Sequence, residues 1–375
     1  MDSETLEAKQ STSVEIRPAE TSGIPHDIVD EILDHLNPDS DFKLSLLNCS
    51  LISKSWVVPC RQRLFHNIAL NGGDMAGWLK SFPEPERSPA HFVRELTLSL
   101  GGRHSAPEEF FRHTPWFKNV KKLTVLGNQG LQPVWIPPFG RLPQSVTSLT
   151  INTDIATLLE IRDLMAQLPN LNDFALSGSI HGMDGDGLLG IGTVLKGEFG
   201  GQLRLLRLKR HADPEVMNML LEVPTGLHFT EVYILTVYDC LPSTVRLAEA
   251  CGKNLVKFTY SIDEHGDKDV FDRSFDFTKL PNLQEVKFNV NWTAGGLLWI
   301  SVALSTINPA TSPHLYTLQL KLGGRFLRYI PEDRRERLTD DLRLIDEEVA
   351  RIEHEFMGAL ELTVAQYPGF RHDAG

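Results

Sequence analysis

Val93–Ser99 reads VRELTLS, and the chain returns to this pattern eight more times: VKKLTVL from Val120, VTSLTIN from Val146, LNDFALS from Leu171, LRLLRLK from Leu203, FTEVYIL from Phe229, LVKFTYS from Leu255, LQEVKFN from Leu283 and LYTLQLK from Leu315. Each rung carries apolar or aromatic residues at positions 1, 4 and 6, and successive starts lie 25 to 32 residues apart. Alternation over so few residues predicts short strands, in which positions 4 and 6 share one face and positions 3, 5 and 7 share the other. A fixed period of this length is the mark of a repeat architecture, and LxxLxL is the core spacing of leucine-rich repeats. The alternative is an ordinary α/β protein with evenly spaced βα units.

Between the rungs lie helical patterns, including Ile155 to Leu168, Pro214 to Leu221 and Ser243 to Ala250, which would cover the apolar face. From Pro331 to about Gln366 the chain reads as one long charged helix with Ile345, Val349, Ile352, Phe356 and Leu360 on a stripe. A solenoid leaves its last repeat uncovered, so this segment is expected to cap it. The stripe lacks the sustained heptads of a coiled coil.

Upstream, Ile24–Phe65 is patterned as three short helices. Ile28, Ile32, Leu33 and Leu36 make one amphipathic stripe behind Pro25, and Asn37-Pro38 stops it. A second helix through Leu44, Leu46 and Leu47 is expected to start at Asp39-Ser40-Asp41. A third, opened by Ser50 or Ser53, carries Trp56 and should kink or restart at Pro59. So short a segment holds more apolar residues than one small bundle can hide.

The order Ile24-Pro25, Ile32-Leu33, Leu36, Leu46-Leu47, Cys49-Ser50-Leu51, Ser55-Trp56, then Arg61 and Leu64-Phe65 resembles an F-box, most closely the fungal F-box-like pattern. The resemblance implies an α/β protein whose F-box module precedes a leucine-rich-repeat horseshoe with a helical cap. It implies a tail over 1–22, the module over 23–70, the solenoid over 71–325 and the cap with a tail over 326–375. The implied function is that of substrate receptor in an SCF-type cullin–RING ubiquitin ligase, not an enzyme. Ile24, Pro25, Ile28, Ile32, Leu33, Leu36, Leu47, Leu51 and Trp56 would bind the Skp-family adaptor, with Trp56 the first candidate for a purely structural role. A scaffold whose F-box-like segment merely caps the solenoid is the alternative, and a hydrolase on an irregular α/β fold a third.

Composition narrows the partners. A net charge of −12 argues against sequence-independent nucleic-acid binding. Four cysteines with no CxxC pair fit reduced thiols in the cytoplasm or nucleus. The first 23 residues are polar, disordered in composition and without an apolar core, so no secretory signal is expected. No run is long and apolar enough for a membrane span. No metal or cofactor is expected either: His181–Gly187 is only a partial calcium-loop match, since Leu188 stands where a ligand belongs, and no Walker, dinucleotide or HExxH motif occurs.

On the polar face of the rungs, six basic residues outnumber four acidic ones, and the basic residues gather toward the C-terminal half. Arg207, Lys209, Tyr233, Leu235, Lys257 and Lys287 are therefore the candidate client-binding residues, for an acidic or phosphorylated protein segment.

Overall fold

The computed structural model describes residues 24–36, 42–100, 110, 112–127, 145–153, 160–161, 164–165, 167–178, 203–209, 214–222, 227–236, 240–262, 274–291, 297–323 and 332–366. The N-terminal tail, the Asp39-Ser40-Asp41 start signal and the His181–Gly187 loop lie outside them. The chain divides into two compact units, Met1–Leu64 and Phe65–Gly375.

The first unit is helical: α1 (His26–Asp34), α2 (Phe42–Ser50) and α3 (Lys54–Leu64). Val29, Leu33, Leu46, Trp56 and Cys60 form its core, with Leu36, Phe42, Cys49 and Leu64 packed around them. Ser53 opens α3, its carbonyl accepting from the Trp56 N–H at 3.1 Å. Of the two outcomes expected at Pro59, a restart does not occur. The helix runs through it, and the proline ring is buried beside Trp56 and Cys60, so packing offsets the missing donor. Arg63 ties α3 to α1, donating to Asp30 Oδ1 at 2.9 Å and to Asp34 Oδ1 at 2.5 Å. Burial opposes the charge on Arg63, but its bonds to Asp34 and Asp30 outweigh that and raise its pKa.

The second unit is organised by one eleven-stranded sheet whose strands neighbour one another in sequence order. Every pairing is parallel. The nine predicted rungs are β2 (Glu95–Leu100), β3 (Lys122–Gly127), β4 (Ser148–Asn152), β5 (Asp173–Ser177), β6 (Leu205–Lys209), β7 (Glu231–Thr236), β8 (Lys257–Ile262), β9 (Glu285–Asn291) and β10 (Thr317–Gly323). Their register matches the sequence alignment position for position: Glu95 faces Lys122, Lys122 faces Ser148, and so on to Glu285 facing Thr317. One hydrogen-bond fork starts each rung. The His66 carbonyl accepts from Arg94 N–H and Glu95 N–H, both at 2.9 Å, and the carbonyls of Arg94, Lys121, Thr147, Asn172, Arg204, Thr230, Val256 and Gln284 do the same for the next rung.

Core packing follows the pattern without exception. All residues at positions 1, 4 and 6 of the nine rungs, three in each, are at most 4% exposed. The helices α5 (Pro214–Leu221), α6 (Leu241–Cys251) and α7 (Leu298–Ser305) add buried faces to the same core, as do Ile161, Leu164 and Met165 from the expected 155–168 helix.

Two strands escaped the sequence reading. The first, β1 (Asn67–Asn71), pairs with β2, so residues assigned above to the helical module belong to the sheet. Asn71 caps the helix that follows β1, α4 (Gly72–Ser81): Asn71 Oδ1 accepts from Gly73 N–H at 2.9 Å and Asp74 N–H at 3.0 Å, and Asp74 Oδ2 accepts from Asn71 N–H.

The second, β11 (Glu361–Gln366), pairs with β10 over residues expected to continue the terminal helix. That helix, α8 (Glu332–Phe356), stops where Met357 and Gly358 take φ of 47° and 77°, a left-handed exit that reverses the chain. Ile345, Ile352 and Phe356 are buried as the stripe implied. Two polar side chains fasten α8 to α7 at both ends: Asp341 Oδ2 accepts from Leu297 N–H at 2.6 Å, and Arg351 Nη2 donates to the carbonyls of Leu304 and Ile307 at 2.9 and 3.1 Å. The acid sits at the positive end of α7 and the base at its negative end.

Candidate functional surfaces

Three helices of nine to eleven residues can enclose only a narrow apolar centre, and this module holds more apolar residues than that centre takes. Among the predicted adaptor-binding residues, Ile24, Pro25, Ile28, Ile32, Leu47 and Leu51 are exposed, Leu51 to 83%, and Leu36 is half-buried. Leu33 and Trp56, at 1% and 4%, face inward and hold the helices together. Both belong to the module's core and not to its exposed surface: α1 presents Ile28 and Ile32 on one side and turns Val29 and Leu33 to the other.

Leu44, Ile52 and Val58 are exposed as well, and the sequence reading missed them as surface residues. The signal was available in part. Leu44 and Leu47 sit three apart on α2, on the opposite side from Leu46. Such a concentration of exposed large aliphatic side chains in one small module marks an interaction surface.

The polar face of the sheet is different in kind. Arg207, Tyr233, Lys257 and Lys287 all lie on it, with Arg207 opposite Tyr233 and Lys257 between Glu231 and Glu285. Leu235 shares the face and is half-buried; Lys209 ends β6, and its side chain lies outside the described residues. The free basic cluster inferred from composition is instead a set of ion pairs. Arg207 pairs with Asp173 at 3.2 Å, Lys257 with Glu231 at 3.4 Å, Lys122 with Glu95 at 3.8 Å, and Lys287 with Glu285. Ser148 Oγ donates to Asp173 Oδ2 at 3.0 Å. Bonding to Glu231, and the nearby Glu285 charge, raise the Lys257 pKa and hold its ammonium charged. Opposite charges on facing strands also support the parallel register.

The described residues thus combine a helical module that exposes an apolar surface with a parallel sheet built from repeated units. Residues 22–56 match the family model for the F-box domain, a span that holds the exposed Ile24, Ile28, Ile32, Leu44, Leu47, Leu51 and Ile52. F-box domains bind Skp-family adaptors in cullin–RING ligases, and they serve as adaptors for substrates in SCF-type complexes. No curated protein matches the chain.

Proposed function

We propose that this protein is the substrate receptor of an SCF-type ubiquitin ligase, its repeats forming a leucine-rich-repeat solenoid that presents a protein client. The observation that carries the reading is the exposure of Ile28, Ile32, Leu44, Leu47, Leu51 and Ile52 on the module that matches the F-box. These residues would dock on the adaptor, while the polar sheet face around Arg207, Tyr233, Leu235, Lys257 and Lys287, with Lys209 at its border, would hold the client. A receptor of this kind needs no nucleophile. It acts by raising the effective concentration of client lysines near a ubiquitin-charged conjugating enzyme.

Co-purification with a Skp-family adaptor tests the assignment. Wild-type chain should capture the adaptor, and Ile28→Asp with Leu51→Asp should lose it while melting at the wild-type temperature. A wild-type chain that captures no adaptor would refute the receptor reading.

A further inference from the structure

Three of the four paired cations on the sheet face are more exposed than their carboxylate partners. Arg207 is 40% exposed against 26% for Asp173, and Lys287 34% against 18% for Glu285; Lys122 likewise exceeds Glu95, and Lys257 equals Glu231. On β6 to β10 the described cations Arg207, Lys257, Lys287 and Lys321 outnumber the carboxylates Glu231 and Glu285 on the same face. Lys321 on β10 shares the face and has no ion pair among the described residues. The distribution is uneven along the sheet. Position 5 carries Thr97, Thr124, Thr150 and Ala175 on β2 to β5, then Arg207, Tyr233, Thr259, Lys287 and Gln319 on β6 to β10.

We propose that β6 to β10 bind an extended, acidic, unphosphorylated protein segment that crosses the strands along position 5, with one apolar side chain seated on Tyr233 and Leu235. This rests on the receptor reading and names the chemistry of the client. Four strand spacings of about 4.8 Å separate Arg207 from Gln319, roughly 19 Å, which an extended chain covers in about six residues. Lys257 borders that path on one side and Lys321 on the other. Carboxylates fit better than phosphates. A dianion would also meet the paired Asp173, Glu231 and Glu285 at close range, and the face offers lysines as point charges with one arginine, not a fork of arginines. The half-buried Tyr233 and Leu235 supply the desolvated anchor that polar contacts alone lack.

The test uses the full chain and a fluorescein-labelled synthetic peptide in which a phenylalanine is followed by glutamates at alternating positions. Controls are the same peptide with glutamines, and again with phosphoserines, in place of the glutamates. By fluorescence anisotropy the glutamate peptide should bind, weaken as salt rises, and exceed the glutamine peptide by roughly tenfold. Lys257→Gln with Lys287→Gln should weaken it roughly fivefold. Lys257→Arg with Lys287→Arg should retain it, and Tyr233→Ala should weaken it at any salt. Equal binding of the glutamate and glutamine peptides on the wild-type chain would overturn the proposal, and that comparison does not depend on any variant folding. Tighter binding of the phosphoserine peptide would overturn the choice of an unphosphorylated client. Adaptor capture measured on the same samples reports separately on the receptor reading.

Discussion

Leu51 and Leu33 stand only eighteen positions apart, yet their truncation should produce opposite phenotypes. Leu51 is 83% exposed, and its N–H is held by the Asn48 carbonyl at 3.1 Å, a bond that a side-chain change leaves in place. Removing a solvated leucine should alter stability by no more than about 0.5 kcal/mol. If the adaptor covers it, however, the exposed fraction becomes buried. A fully buried leucine is worth about 1.5–3 kcal/mol, so Leu51→Ser should cost about 1.2–2.5 kcal/mol of binding, roughly seven- to sixtyfold in Kd.

Leu33→Ala reverses the pattern, because Leu33 is 1% exposed within a core of five buried side chains. It should cost about 2–5 kcal/mol of folding stability, a large share of what a small module possesses. Calorimetric titration with a Skp-family adaptor, paired with thermal melts, separates the two effects. Wild-type affinity in Leu51→Ser would refute the assignment of this surface to the adaptor. A wild-type melt in Leu33→Ala would refute the packing argument.

Other outcomes follow from the second unit. Arg351→Ala strips two carbonyls, those of Leu304 and Ile307, of a charged donor and should cost about 1–3 kcal/mol, read as faster hydrogen exchange in α8 and β11. His113 is buried, Nδ1 has no hydrogen-bond partner among the described residues, and burial lowers its pKa from the ordinary 6.5. The unfolded chain thus binds its proton more readily, so His113 contributes stability that is present above pH 6.5 and lost as pH falls through the depressed value. His113→Phe should flatten that part of the acid-side decline in urea melts. Burial pushes the Cys251 thiol up to about 12, so native protein treated with iodoacetamide at pH 8 should be modified at the half-buried Cys49 well before Cys251. Equal rates at the two would contradict the structure.

Much was legible in the chain because both signals are local and periodic. Spacing of the rungs located nine strands, their inward residues and their mutual register, since a parallel repeat has only one alignment that buries positions 4 and 6 of every strand together. The F-box pattern likewise marked the helical module. The edges were harder. Asn67–Asn71 and Glu361–Gln366 are strands only because β2 and β10 offer them a partner edge, and no single-rung motif is strong enough to say so. In α8 the helical stripe runs on toward Leu360, and the left-handed turn at Met357 and Gly358 that cuts it short is a tertiary choice made to place β11 on the sheet.

Site assignment divided along the same line. Sequence alone determined which residue types lie in the module and which positions of each rung face away from the core. Only the tertiary structure decided that Leu33 and Trp56 point inward while Leu44, Ile52 and Val58 point out, because three short helices can choose which of two apolar sides to bury. It also decided that Lys122, Arg207, Lys257 and Lys287 on the sheet face are paired. Arg207 and Asp173 are 34 residues apart, and only the stacking of consecutive strands about 4.8 Å apart brings their charges within reach.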